Sequence, residues 1–219
     1  MAIAKNSSMG STRLSILSTL QQQGSLTVDR LAQEVGLSSS TVRRHLDILQ
    51  RDHLVSFDQV RRKPGRPEFV YSLTEDGYES GHRDYKKLLA HLLSGIMDLS
   101  PADLADKDGR KLVRLLIGRI ADQVSWPYVQ PGQVSEEARL AKVVQALTDG
   151  GFSPELKREG GQVQIRLCNC PFRSVALSQD SVCLLDHDLI ANILGVEPVR
   201  ESTIHDGHTS CMYVVATGN

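Results

Sequence analysis

The feature that most constrains this 219-residue chain is a pair of short helical patterns held close together by one glycine and a brief turn. Thr27 opens the first, VDRLAQEVG. Its hydroxyl is placed to cap the free amides, Leu31 and Val35 form the buried side, and Gly36 supplies the left-handed stop. Ser38 then caps the second, SSTVRRHLDILQRD, whose apolar side is Val42, Leu46 and Leu49. A helix over 11–23 precedes them, with Leu14, Ile16, Leu17 and Leu20 assigned to one face and Gly24 as its end. Two helices joined this tightly, the second rich in Ser, Thr, Arg and His at its start, make a helix-turn-helix.

The next twenty residues narrow the reading further. LVSFDQV (54–60) and EFVYSL (68–73) are strands rich in Val, Phe and Tyr, and they flank RRKPGRP (61–67). That is a β-hairpin wing with a basic loop held open by Pro64, Gly65 and Pro67. In such a domain the second helix enters the major groove, which points to Ser39, Ser40, Thr41, Arg43, Arg44 and His45 as base-facing residues. Arg61, Arg62, Lys63 and Arg66 suit phosphates or the minor groove. An Arg-Arg pair on a helix is by itself an ordinary solvated face, and the specificity lies in the order of elements. The stretch LAQEVGLSSSTVRRHLDILQRDHLV resembles the helix-turn-helix of bacterial one-component regulators grouped with the ArsR and DeoR repressors. RRKPGRPEFVYSLTEDG resembles the wing of one subgroup of them.

The net charge of −1 gives no global attraction to nucleic acid, so binding must come from that local basic patch. No run approaches eighteen apolar residues and MAIAKNSSMG lacks the pattern of a leader, so the expected location is the cytoplasm. There is no Gly-rich phosphate loop, nucleophile elbow or His-Glu-x-x-His, and the chain is expected not to be an enzyme.

Thr74 to about Leu99 reads as one helix, with Tyr78, Tyr85, Leu88, Leu89 and Leu92 at helical spacing. Ser100-Pro101 starts another, interrupted near Asp108-Gly109 and resuming over 110–124 until Trp126-Pro127. A further helix covers 136–151. Proteins of this build read two half-sites as dimers, and the 74–99 helix, which leaves the wing directly, is the candidate dimer element. The expected organisation is a winged-helix domain over 1–80, a helical linker and dimerisation region over 81–134, and a sensor domain over 135–219. The fold class is α+β.

The last segment holds all four cysteines, in the pattern C-x-C-x12-C-x27-C at Cys168, Cys170, Cys183 and Cys211. Strands are expected on either side of a Glu-Gly-Gly turn, with Val163, Ile165 and Leu167 sharing one face. If the second strand runs on, Cys168 and Cys170 share the opposite face. Pro171 turns the chain into a short helix, SVCLLDHDLIANILG is a helix, and EPVRESTI and CMYVVAT are strands. No pair has zinc-knuckle spacing, and free cysteines are often simply small buried hydrophobes. Convergent thiolates equally suit zinc, Cu(I) or an iron–sulfur cluster.

NCPF (169–172), Cys183 followed by LLD, and Gly207 to Cys211-Met-Tyr-Val resemble the C-terminal domain of the SufR group of repressors. That resemblance implies a cysteine-bound iron–sulfur cluster of [4Fe-4S] type and control of cluster-assembly operons. It maps the ligands onto Cys170, Cys183 and Cys211. Some members carry a fourth cysteine between the last two, where this chain has none and Glu197 falls near that place. Cys168 is the first choice for the fourth ligand, then Asp186 and His187, then His205 and His208. The implied function is a homodimeric repressor on a palindromic double-stranded operator. The alternatives are a regulator answering to zinc, to thiol redox state or to a small organic ligand.

Overall fold

The computed structural model describes residues 3–60, 67–81, 83–129, 132 and 134–216, with side chains from residue 10 onward. It divides into two compact units, Met1–Gly81 and His82–Asn219.

The first unit runs α1 (Ile3–Gln23), β1 (Leu26–Thr27), α2 (Val28–Val35), α3 (Ser39–Arg51), β2 (Val55–Val60), β3 (Glu68–Leu73) and α4 (Glu75–Glu79). The caps fall where the residue types place them. The Thr27 hydroxyl accepts from the Arg30 amide, and the Ser38 hydroxyl accepts from the Thr41 amide. Gly36 takes the left-handed conformation at φ 67°, with the Leu37 amide donating to the Ala32 carbonyl at 2.9 Å. Ile16, Leu20, Leu31, Val42, Leu46 and Leu49 close the core between the three helices. Leu14 does not join them and is 64% exposed. Residues two apart on a helix point about 200° away from each other, so Leu14 could not share the face of Ile16 and Leu20.

The wing is a three-stranded antiparallel sheet in the order β1-β3-β2. Its two-residue strand β1, which pairs Leu26 with Tyr71, is too short for any sequence pattern to reveal. The expected helix over 74–99 is two helices. Thr74 caps α4, which ends at Glu79, and the Asp84 carboxylate caps a new start by accepting from the Lys87 amide at 3.3 Å. Tyr78 belongs to the core of the first unit, while Tyr85, Leu88 and Leu92 serve that of the second. One straight stripe cannot serve two cores.

The second unit contains α5 (Tyr85–Met97), α6 (Pro101–Leu104), α7 (Gly109–Ser125), a 3-10 turn at Trp126–Tyr128, α8 (Glu136–Asp149), β4 (Pro154–Glu159) and β5 (Gln162–Leu167). It continues with α9 (Arg173–Ser178), a 3-10 turn at Asp180–Cys183, α10 (Leu184–Leu194), β6 (Val199–Ser202) and β7 (Cys211–Ala216). The sheet is antiparallel throughout in the order β4-β5-β7-β6. Val163, Ile165 and Leu167 of β5 alternate inward as their period of two requires, opposite Val215, Tyr213 and Cys211 of β7. Ile117 and Ile120 of α7, Val143 and Leu147 of α8, and Leu189, Ile190 and Ile193 of α10 complete that core. The middle helices thus share one core with the sheet. Strand β5 ends at Leu167, so Cys168 and Cys170 lie on the loop beyond it and strand alternation does not orient them.

Gly77 of α4 has no room for a side chain, because a Cβ there would overlap the Leu54 carbonyl. The same carbonyl accepts from the Thr74 amide at 3.1 Å, which fixes α4 against the end of α3. Gly77→Ala is expected to destabilise the first unit by about 1–3 kcal/mol. Hydrogen exchange of the α3 and α4 amides reads this loss, and unchanged protection would show that α4 is not held so tightly.

Candidate functional site

Helix α3 presents two different faces. Ser40, Arg43 and Arg44 are exposed, and Ser39 and Thr41 are partly so. Ser39 donates to the Asp29 carboxylate at 2.7 Å, which pins the start of α3 to α2 and leaves Ser40, Arg43 and Arg44 clear. Arg43 shares an open groove with Asp47 of the same helix and with Glu68 and Tyr71 of β3. His45 corrects the sequence reading. It is only 5% exposed and lies on the inward stripe with Val42, Leu46 and Leu49, not among the base-facing residues. The spacing 42, 45, 46, 49 is i, i+3, i+4, i+7, so its inward direction was available from position alone. Burial lowers its pKa, and the charges of Arg13 and Arg44 lower it further.

Arg61, Arg62, Lys63 and Arg66 lie outside the described residues. The strands bearing that loop are stiffened by Phe57, whose ring meets Phe69 edge-on at 5.1 Å and Tyr71 at 5.7 Å.

In the second unit all four cysteines are free and buried, but they do not form one group. Cys170 follows β5 on the loop, Cys183 ends the 3-10 turn before α10, and Cys211 begins β7 opposite Leu167. All three belong to the central core. Burial raises their pKa values, Cys183 and Cys211 each to about 12, and Cys170 further. After burial, the largest influence on each is the Asp186 carboxylate, and Cys170 and Cys211 are raised by neighbouring thiols as well. Cys168 has other company. Beyond burial, the charges acting on it are those of Arg166 and Glu155, and it hydrogen-bonds the Glu155 side chain.

Asp186 is buried on the first turn of α10 and accepts a hydrogen bond from the Tyr213 hydroxyl at 2.8 Å. Burial raises its carboxyl to about pKa 6. The opposing charge of Arg200 on β6 acts on Asp186, Cys183 and Cys211. His187, one residue on, hydrogen-bonds Asp188 at 2.9 Å, lies 3.6 Å from Glu197, and has its ring 6.2 Å from that of Tyr213. His205 is engaged with the Ala176 carbonyl at 2.8 Å, and His208 is exposed. The centre is therefore Cys170, Cys183, Cys211 and Asp186, with Tyr213 and Arg200 supporting it. Sequence reasoning missed both supports. Tyr213 lies two residues after Cys211 on one strand, so period-two alternation carried the signal for it, whereas nothing local marks Arg200.

Among the described residues, no three His, Cys, Asp or Glu side chains stand ready to hold a single metal ion. A cluster makes a different demand, since each ligand binds its own iron. No described helix is long and apolar enough to cross a membrane.

Residues 9–56 match the family model described as winged helix-turn-helix DNA-binding. A solved structure, the Zalpha domain from Carassius auratus PKZ in complex with Z-DNA, is 34% identical over 31% of this chain and 98% of its own, at a TM-score of 0.26. No curated protein matches the chain. The fold and the family match together make the first unit a winged helix-turn-helix DNA-binding domain, in a chain of α+β class.

Helix α3 carries two testable outcomes. Replacing Arg43 or Arg44 by Ala is expected to cost about 1–3 kcal/mol of specific binding wherever that side chain reads a base. Equal losses on specific and random duplexes would instead make it a phosphate contact. His45, with its folded pKa held below 6.5, stabilises the first unit fully above pH 6.5 and less as pH falls through the lower folded value. His45→Leu should flatten that acid slope in α3 amide exchange, and an unchanged slope would assign it to other groups.

Proposed function

We propose that this protein is a homodimeric transcriptional repressor that binds a palindromic operator and answers to iron–sulfur status through a [4Fe-4S] cluster on Cys170, Cys183, Cys211 and Asp186. The observation that carries the reading is the convergence of three thiols and one buried carboxylate, drawn from the loop after β5, the start of α10 and the start of β7, in a single apolar core. Soft sulfur donors favour such clusters, and the resemblance to the SufR group points to the same three cysteines. Cys168, next to Glu155 and Arg166, drops out of the ligand set, and Asp186 takes its place as the fourth ligand. A bound cluster supplies a redox-labile anchor whose loss is the signal. Asp186, as an oxygen donor among sulfurs, makes one corner the weakest held.

The residues around Cys170 give the signal a path. Arg83 donates to the Asn169 side chain at 2.9 Å, and the Asp84 amide donates to the Pro171 carbonyl at 3.4 Å. Tyr85 and Ser174 share a hydroxyl hydrogen bond at 2.6 Å, and the Ser174 amide donates to Tyr85 at 3.2 Å. The Cys170 loop is thus clasped to residues 83–85, shortly after Gly81, the last residue of the DNA-binding unit. A change in how residues 169–174 pack acts on the segment that leads from the winged helix. Regulation needs a coupling of only about 1–3 kcal/mol, or roughly 5- to 150-fold in affinity.

Anaerobic reconstitution with iron and sulfide tests the ligand set. The protein should gain visible absorption, which Cys170→Ser, Cys183→Ser and Cys211→Ser should each abolish and Cys168→Ser should retain. Asp186→Ala should lose the absorption faster in air than the parent does. Zinc without sulfide, or a colourless product, would overturn the reading. Tyr85→Phe should keep the absorption while shrinking the difference in operator affinity between the loaded and empty forms.

A further inference from the structure

Helix α5 carries an exposed apolar stripe along one side. Leu88 is buried, Leu92 packs against the core, and a Cβ at Gly95 would lie 3.1 Å from Leu116, so this side of α5 sits on α7. The other side bears Leu89 at 57% exposure, Leu93 at 54%, Ile96 at 51% and Met97 at 85%. Lys86, Leu89, Leu93 and Ile96 follow the 3-4-3 spacing of a helix-pairing seam, and Met97 is four residues after Leu93. Four large side chains in line on one helix differ from the single exposed hydrophobics normal to any surface.

The charges at the helix ends match one kind of cover. Past the capping Asp84, the first turn holds Lys86 and Lys87, at the pole where a helix disfavours cations. The C-cap is Asp98, at the pole that disfavours anions. A second copy of α5 laid antiparallel reverses both. Each Lys86, on the same side as the stripe, then meets the partner's carbonyl pole and C-cap carboxylate, while the apolar stripes face each other across a two-fold axis. The stripe and the end charges are both self-complementary in that one orientation.

We infer that α5 is the homodimer interface of this regulator, pairing antiparallel with a second copy of the same chain about a two-fold axis near Leu93. The inference specifies the surface of the dimer proposed above and does not depend on the cluster. The DNA-binding units of the two chains are thereby joined through the helix that also holds the Cys170 loop.

Sedimentation of the full chain, without cluster, tests it. The parent should run as two chains at micromolar concentration, whereas Leu93→Glu and Leu93→Lys should each run as one. An equimolar mixture of the two variants should restore the pair, because glutamate and lysine meet across the axis. Leu156→Glu, on exposed β4, should leave the pair intact. A two-chain parent whose Leu93→Glu variant stays paired, or a mixture that stays dissociated, overturns the α5 interface alone. A parent that runs as a single chain removes the dimer from the proposed function as well. Iron and sulfide uptake by Leu93→Glu should equal that of the parent, so failure of the cluster reading would register separately.

Discussion

The second unit is built around a carboxylate that packing alone would not put there. Asp186 lies between Leu185 and Leu189 on the inward side of α10, where another leucine would fill the same core without penalty. Taking a carboxylate from water is costly unless it is paired or hydrogen-bonded. The Tyr213 hydroxyl at 2.8 Å and the charge of Arg200 offset part of that cost, yet the carboxyl still titrates well above its usual range. Asp186 in turn raises three thiols, and neighbouring thiols raise Cys170 and Cys211 further. Sheet register and α10 thus hold three thiols around one carboxyl, and the raised pKa values keep the thiols protonated and uncharged. Each thiol would release a proton on binding a metal-bearing partner.

Helix α5 connects that centre to the rest of the second unit and beyond on three sides. Its start is hydrogen-bonded to the Cys170 loop, its inner face rests on α7, and its outer face carries the exposed stripe. The break before it therefore matters more than the continuous helix read from the sequence. An unbroken helix from 75 to 97 would run from the wing into the second unit as one rod. With α4 ending at Glu79 and α5 beginning at Tyr85, residues 83–85 at the start of the second unit are held by the cysteine loop.

Much of this was legible in the sequence, for reasons that differ by element. Thr27, Ser38, Thr74 and Ser100 cap helices because a hydroxyl at that place satisfies amides nothing else reaches, a purely local cause. The 16/20 and 42/46/49 spacings fixed the first core, while Leu14 and His45 were misassigned through neglect of the angle between neighbouring positions. Strand β1 and the division between α4 and α5 stayed hidden because tertiary pairing and a change of core decide them. The cysteines divide along the same line. Family resemblance marked Cys170, Cys183 and Cys211, but the separation of Cys168 depends on β5 ending at Leu167 and on Glu155 across the β4–β5 ladder.

The long-range origin of the centre also determines how its loss should be felt. A local knuckle can form and dissolve on its own, whereas groups from a loop, the start of α10 and a strand meet only once the unit has folded. The sheet does not need a ligand to hold register, since six residue pairs join β5 to β7 and the Ile165–Tyr213 pair sits fully in the core. What the proposed ligand would add falls mainly on the segments outside the ladder, residues 169–172 and the turn at 180–183, since the Cys168 amide still donates to the Ser153 carbonyl at 3.0 Å. The first of these is the stretch clasped to Arg83, Asp84 and Tyr85. In the proposed switch, a sheet that keeps its own register leaves the hydrogen-bonded loop at 169–172 as the place where gain or loss of a ligand would be passed to residues 83–85.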